Sequence, residues 1–153
     1  MAQRDLRYIG DQSLTMTCAP VTDHDDALRS LVADMFETMY AAQGRGIAAP
    51  QVGVTQRIFV TDTTWKEGDK HPMAFVNPEI TATAPTSKTG PEACLSIPDR
   101  SFDVSRPTWV DLAWTDPHGH RQTARFDGID AICVCHELDH LDGLLITQTG
   151  VEI

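Results

Sequence analysis

The sequence His136-Glu137-Leu138-Asp139-His140 lies in a largely apolar stretch, residues 129–143, that we interpret as one helix. Residues four apart share a helix face, so His136 and His140 can bind one metal ion. Glu137 lies close enough to handle the protons of a hydrolytic water. The apolar neighbours indicate a buried helix, in which ionisable side chains need partners. We therefore favour a metal site over a solvated or core-satisfied histidine pair.

The composition is that of an ordinary globular domain. The chain has 153 residues, of which 41% are hydrophobic and 22% charged, so it can bury a substantial core. We predict a single domain over residues 1–153. The formal net charge is -10, without a basic run, which disfavours nucleic-acid binding. Since neither a membrane-spanning run nor a secretory segment is found, we expect a cytoplasmic protein that does not bind membranes.

The chain contains an even number of cysteines, Cys18, Cys94, Cys133 and Cys135. An even number can form disulfides, but the chain length and the metal motif favour reduced thiols in a cytoplasm. Cys133 and Cys135 point to nearly opposite sides of the predicted helix, so they cannot bind one ion together. We expect both to be small buried hydrophobic residues.

An amphipathic helix is predicted near the N-terminus. It follows an irregular arm, residues 1–21, and begins at residues 22–23, with Asp25 and Asp26 in its first turn. Gly44 is expected to end it. Apolar residues spaced three and four apart give it a core-packing face, formed by Leu28, Leu31, Val32, Met35, Phe36 and Met39.

The middle of the chain contains strand-like segments. Alternation and β-favouring residues predict strands over 57–62, 73–78, 108–115 and 120–126. The turn Asp116–Gly119 joins the last two segments into a hairpin. Residues 44–53 and 81–91 are interpreted as loops. The element order predicts an α+β fold, with antiparallel β-sheets packed around the helix that carries the metal motif.

A hydrolytic metal site needs a third protein ligand and an open position for water. Downstream, Asp142 faces away from His140, and Glu152 lies in a terminus expected to fray. Upstream, Cys94 has apolar neighbours, and a thiolate is a strong metal ligand. We favour Cys94 over the remaining upstream candidates, which have surface-like surroundings: His24, His71, His118 and His120.

Three segments together resemble the peptide deformylase family. Its motifs are Gly-x-Gly-x-Ala-Ala-x-Gln, Glu-Gly-Cys-x-Ser and His-Glu-x-x-His. They correspond here, in the same order, to Gly44–Gln51, Glu92–Ser96 and His136–His140. The resemblance covers nearly the whole chain. It implies a metal-dependent hydrolase that removes the formyl group from N-formylmethionyl peptides of nascent proteins and releases formate.

The resemblance also implies roles for individual residues. Cys94, His136 and His140 would bind one divalent metal ion, with Fe²⁺ expected in the cell and Zn²⁺ or Ni²⁺ as alternatives. Glu137 would transfer the proton of the attacking water, and the Gln51 amide and the Leu95 backbone N–H would donate to the oxyanion. Substrate would meet residues of two segments and the metal helix: Gly44, Arg45, Gly46, Ile47, Ala93, Ile129 and Cys133.

Two of these implications concern particular contacts. The backbone of residues 44–47 would pair with the extended substrate, while Ile47, Ile129 and Cys133 would line the methionine pocket. By the same resemblance, Asp139 would pair with Arg106 across the core.

The chain departs from the family's pattern near the substrate. Ala93 replaces a glycine, Arg45 replaces an apolar residue, and Gly90 and Pro91 replace bulkier ones, which would open one pocket wall. The chain also stops soon after the metal helix, so ribosome docking through a C-terminal helix is not expected. We expect a monomer. The alternatives to an active deformylase are a related metal amidase with a different N-acyl substrate and a catalytically weak metal-binding paralogue.

Overall fold

The computed structural model describes residues 2–153 and shows helices packed with antiparallel sheets, as predicted. The helices are α1 (Asp26–Ala41), α2 (Gly128–Leu141) and the short α3 (Ile146–Thr149). Short 3-10 turns occupy Gln12–Thr15, Ala49–Val52 and Trp65–Glu67. The strands, in chain order, are β1 (Gly46–Ala48), β2 (Ile58–Thr61), β3 (Met73–Thr83), β4 (Ser87–Cys94), β5 (Ile97–Pro107), β6 (Trp109–Thr115), β7 (Arg121–Asp127) and β8 (Gly150–Glu152).

The strands form two sheets within the described residues. One has the order β1-β2-β3-β6-β7 and the other the order β4-β5-β8, with every neighbouring pair antiparallel. Helix α2 packs against β1, β2 and β7 of the first sheet and against β5 of the second. The metal motif is therefore held between the two sheets, and β1 and β4 each lie at an edge of their sheet.

Helix α1 begins later than the sequence pattern predicted. Asp25 has extended backbone angles, and its carboxylate accepts a hydrogen bond from the N–H of Leu28 at 3.0 Å. This contact satisfies one of the N–H groups left free at a helix start, so the helix begins at Asp26 and not at residues 22–23. The predicted apolar face is confirmed in part by Met35 and Met39, which are fully buried in the core.

The end of α1 also differs from the prediction. The helix ends at Ala41, and Gln43 adopts the left-handed conformation with a φ of 61°. The N–H of Gly44 then donates to the carbonyl of Met39 at 2.9 Å, which is the closing bond of a Schellman motif. Gly44 is needed for another reason, because a Cβ there would lie 2.7 Å from Cδ1 of Leu95.

Three segments that we predicted as loops or as a frayed end contain strands. The first is residues 44–53, which contain β1. Residues 81–91 are mostly extended: β3 continues to Thr83 and β4 begins at Ser87. Threonine favours strands, and Pro91 is tolerated because β4 is an edge strand. The C-terminal segment was also wrongly predicted to fray, since β8 pairs with β5 and Glu152 forms an ion pair with Arg100 at 2.9 Å.

The hairpin of β6 and β7 confirms its prediction, with Trp109 paired with Asp127 and Thr115 with Arg121. Helix α2 is buried along the side that contacts this sheet, where Ala131, Val134 and Cys135 join one core cluster. No helix in residues 2–153 is both long and apolar enough to cross a membrane.

Candidate metal centre and active site

The candidate metal ligands Cys94, His136 and His140 lie together in the structure. Their ligand atoms all lie within 4.8 Å of one another, and Sγ of Cys94 is 3.4 Å from Nε2 of His140. Burial lowers the pKa of His140 well below its ordinary value, so its imidazole is neutral, the form that binds metals. This is the sole cluster of this kind within residues 2–153. The predicted third ligand is thus brought to the two helix histidines.

His136 is oriented by Glu92, a contact that the sequence analysis did not anticipate. Oε1 of Glu92 lies 2.9 Å from Nδ1 of His136. Although burial raises the pKa of Glu92, hydrogen bonds from His136 and Arg106 outweigh it, so the pKa lies below its ordinary value. An ionised carboxylate only accepts, so Nδ1–H of His136 donates. Nε2 of His136 then remains the atom that can bind a metal.

Arg106 connects this carboxylate to the helix. Its Nε and Nη2 donate to the two oxygens of Glu92 at 2.9 Å, while Nη1 donates to Asp139 at 2.6 Å. The contact between Arg106 and Asp139 that the resemblance implied is therefore present. Arg106 and Glu92 are both buried. The guanidinium thus fixes a strand carboxylate and a helix carboxylate in one network.

Glu137 is buried beside the candidate ligands, with 4% of its surface exposed. Burial raises the pKa of its carboxyl to about 7. A Cβ on Gly46 would lie 2.7 Å from Oε2 of Glu137 and 2.9 Å from Sγ of Cys133. Gly46 therefore permits β1 to approach the carboxylate closely, a function that no side-chain pattern predicted.

The Gln51 side chain has a defined direction. Its Oε1 accepts from the N–H of Ala48 at 2.9 Å, so its Nε2 must face the other way. Nε2 donates to Oγ of Ser96 at 3.0 Å and lies 3.7 Å from Sγ of Cys94. Ser96 is fully buried. The amide thus presents its donors beside the candidate metal ligands.

Leu95 follows Cys94 in a tight turn between β4 and β5. Cys94 pairs with Ile97, so Leu95 and Ser96 are the two residues of the turn. This position places the backbone N–H of Leu95 next to the Cys94 thiol. The structure therefore places Gln51 and Leu95 beside the same ligand, and their roles as oxyanion donors stay predictions.

These groups surround one cavity of about 450 Å³ between β1, β4 and α2. Its lining includes most of the residues that the sequence analysis named: Gly44, Arg45, Gly46, Gln51, Ala93, Cys94, Leu95, Ile129, Cys133, His136 and Glu137. His140 lies behind the lining. Gln43, Lys66, Ile132 and Glu92 also line the cavity, although none of them was predicted as a site residue. Pro91 lies in the cavity wall, where its position beside Gly90 had predicted it.

Ile47 is a correction to the predicted substrate pocket. Its side chain is fully buried in the core cluster that contains Met35 and Met39, and it is not among the residues lining the cavity. Successive strand side chains point to opposite faces, and in β1 this face is the core. A substrate can therefore reach Ile47 only through its backbone.

Arg45 lies at the rim of the cavity. Its Nη2 forms an ion pair with Glu67 at 2.9 Å, and its Nη1 donates to the carbonyl of Thr63. Lys66 lines the same rim and comes from the 3-10 turn after β2. Lys66 lies outside the motifs in sequence, so only the folded structure identifies it as a residue of the cavity rim.

Comparison with known proteins decides the family. The profile of the polypeptide deformylase family matches residues 3–152. The chain belongs to this family. A peptide deformylase from Rhizorhabdus wittichii is 41% identical over 150 residues, which cover 95% of this chain and 85% of the relative. One from Prochlorococcus marinus is 40% identical over 136 residues, covering 89% and 67%.

Solved structures agree with this assignment. The peptide deformylase of Thermotoga maritima is 34% identical and superposes with a TM-score of 0.92, covering 97% of this chain and 98% of the other. A peptide deformylase from Synechococcus elongatus, in complex with actinonin, is 38% identical with a TM-score of 0.93, covering 98% and 82%. The predicted resemblance, the α+β fold and the classification as a metal-dependent deformylase of N-terminal protein processing are confirmed.

Proposed function

We propose that this deformylase-family chain hydrolyses the formamide of N-formylmethionyl peptides from nascent proteins. The water oxygen bonds to the formyl carbon, the C–N bond breaks, and the amine leaves with a proton as formate is released. One observation carries the proposal: Cys94, His136, Glu137 and Gln51 surround a single cavity. This set combines metal ligands, a proton-transfer group and an oxyanion donor.

The donor set fits a divalent metal ion. One thiolate and two imidazoles suit Fe²⁺ or Zn²⁺, and Glu92 supplies the partner that fixes the His136 ring. When bound, such an ion would polarise the formyl carbonyl and acidify a water molecule. We propose Fe²⁺ as the ion used in the cell. The buried thiol of Cys94 and the three other free cysteines are compatible with a reducing cytoplasm.

Glu137 would move the proton. Oε1 of Glu137 is a buried oxygen that has no hydrogen-bond partner within the described residues. A carboxyl whose pKa lies at about 7 can both accept and return a proton near neutral pH. We assign Glu137 the transfer from the attacking water to the leaving amine.

Gln51 and Leu95 would stabilise the charge that develops on the formyl oxygen. The Nε2 donors of Gln51 are held beside Cys94 by the contacts to Ala48 and Ser96. The Leu95 N–H adjoins the same residue in the turn. Removal of one donor of this kind typically lowers the rate by about 10²–10³.

The peptide backbone would bind at the sheet edges. Strand β1 is an edge of the five-stranded sheet and β4 is an edge of the three-stranded sheet. An extended peptide can add to such an edge through main-chain hydrogen bonds. The methionine side chain would then enter the part of the cavity lined by Ile129, Ile132 and Cys133.

Formate release tests this function. The metal-loaded protein, prepared anaerobically with Fe²⁺ because Fe²⁺ and the Cys94 thiolate can be oxidised, is given a formyl-Met tripeptide and its acetyl-Met counterpart. We expect formate from the first peptide and little cleavage of the second. Glu137→Ala should abolish turnover, while metal content is measured on the same sample.

The matched control is Glu79→Ala, because Glu79 is an exposed carboxylate on β3 that pairs with Arg121 outside the site. The control should keep its activity. A fully iron-loaded protein that releases no formate would contradict the proposal, and preferred cleavage of the acetyl peptide would favour a different N-acyl substrate.

A further inference from the structure

A second cavity of about 520 Å³ adjoins the candidate active site. We call it the rear chamber. Its lining shares Pro91, Glu92, Ile129 and Ile132 with the active-site cavity. These residues come from β4 and from the first turns of α2. Side chains of one strand and one helix therefore form the boundary between the two spaces.

Gly90 leaves space in the wall of the rear chamber. It lies in β4 opposite Val104 of β5, and a Cβ placed on it would meet no atom within 4 Å. Any larger residue at this position would extend into the open volume. The chamber thus exists partly because position 90 has no side chain.

The rear chamber suits an apolar group. Four residues of its wall are polar: Lys88, Glu92, Arg106 and Thr108. Glu92 and Arg106 satisfy one another through two hydrogen bonds, the Thr108 hydroxyl bonds to Thr86, and Lys88 is exposed to solvent. The remaining walls include the apolar side chains of Val104, Pro107 and Ile132. Away from the exposed Lys88, a polar ligand would find few free partners there, whereas an alkyl chain would lose no hydrogen bond on entry.

We propose that the rear chamber receives the distal part of the substrate's first side chain, so that the protein acts on formyl peptides whose first residue carries an apolar chain longer than methionine. This inference rests on the proposed function, because that function places the first side chain between Ile129 and Cys133. Ile129 and Ile132 line both cavities, so a longer unbranched chain would extend past them into the chamber. Gly90 is then the residue that sets the accepted length.

The expected effect follows from apolar burial. Each methylene moved from water into an apolar site improves binding by about fourfold. Norleucine matches methionine in length, while 2-aminooctanoic acid is longer by two methylenes and 2-aminodecanoic acid by four. We expect kcat/KM to rise about tenfold or more from the norleucyl to the 2-aminooctanoyl formyl peptide.

The experiment measures kcat/KM of the metal-loaded protein for these formyl tripeptides, which differ only in the first residue. Gly90→Leu should remove the preference for longer chains by filling the chamber, and Gly90→Val provides a second, strand-compatible variant. Thr89→Leu is the matched control, because Thr89 is exposed on the same strand and lines neither cavity. Thermal melting verifies that each variant folds.

Calorimetric binding of the same peptides to Glu137→Gln protein separates this inference from the proposed function. If no peptide is cleaved, the proposed function fails. The chamber proposal is still supported if binding affinity rises with chain length and this rise is lost in Gly90→Leu. If the norleucyl peptide is cleaved and longer chains bind no better, only the chamber proposal is overturned. An equal length preference in Gly90→Leu would also overturn it.

Discussion

Oε1 of Glu92 accepts a hydrogen bond from Nδ1 of His136 at 2.9 Å, although the two residues are 44 positions apart in the chain. Strand β4 thereby sets the ring orientation of a candidate metal ligand on α2. The same strand ends at Cys94, another candidate ligand. One strand therefore supplies both a ligand and the group that orients a second ligand.

Glu92→Gln should weaken metal binding by about 10–100-fold, because an amide is a poorer acceptor and no longer favours one histidine tautomer. Chelator competition with Zn²⁺ measures this change. Glu152→Gln is the control, since Glu152 is an exposed carboxylate that also pairs with an arginine. An unchanged metal affinity in Glu92→Gln, with normal melting of the metal-free protein, would contradict the orienting function.

Arg106→Met should destabilise the protein by ~3–5 kcal/mol, because Glu92 would remain a buried carboxylate without its ionic partner. Urea denaturation of the metal-free protein measures the loss. Arg121→Met is the comparison, because both side chains of its ion pair with Glu79 are exposed and such pairs contribute about 1 kcal/mol or less. Equal losses in the two variants would show that burial does not set the energy of the Arg106 network.

Local patterns predicted the parts of the site that lie in one element. His136, Glu137 and His140 follow from helical spacing, and the apolar face of α1 follows from its period. Residues 81–91 could not be assigned in the same way, because their Thr, Ser and Pro content is also common in loops. Their pairing as strands depends on partners elsewhere in the chain.

Contacts between elements account for most of what the sequence analysis missed. Glu92 and Ser96 belong to one of the three family motifs, yet only the fold shows that they hold His136 and Gln51. Ile47 was assigned to the pocket from its motif position, but its strand direction turns the side chain into the core. Which face of a strand meets a cavity is a property of the sheet, and the motif does not contain it.

Gly46→Ala should lower kcat by about 10²-fold, because its methyl group would have to displace the Glu137 carboxylate from its position. Metal content should not change, since the atoms nearest to the new Cβ belong to Glu137 and Cys133 and not to a candidate ligand. Single-turnover formate release and metal analysis on one sample test this. Full activity in the variant would show that catalysis tolerates a displacement of the Glu137 carboxylate.

Asp34→Asn should reduce stability near neutral pH and have little effect in strong acid. Hydrogen bonds from the N–H of Ala2 and from Arg4 hold the pKa of Asp34 below its ordinary value of 3.8. The folded state thus favours the ionised form, so the stabilisation is complete above this value and disappears as the pH falls through the lower folded-state pKa.

Urea midpoints of the two proteins at pH 7 and at several values below pH 4 measure this difference. Asp26→Asn is the control, because the Asp26 side chain is fully exposed even though it pairs with Arg29. If the difference in urea midpoint between Asp34→Asn and the parent protein stayed constant across this pH range, the ionisation of Asp34 would not be linked to stability.

Gln51→Leu should lower kcat by about 10²–10³-fold without loss of metal, because it removes the amide donor beside Cys94. Ser96→Ala should have a smaller effect of the same kind, since Ser96 acts by holding the Nε2 group at 3.0 Å. If Ser96 acts only through Gln51, the double variant should be no slower than Gln51→Leu alone. Steady-state formate release from the parent protein, the two single variants and the double variant completes this double-mutant cycle. If the two losses in kcat multiply in the double variant, Ser96 contributes to turnover independently of the amide.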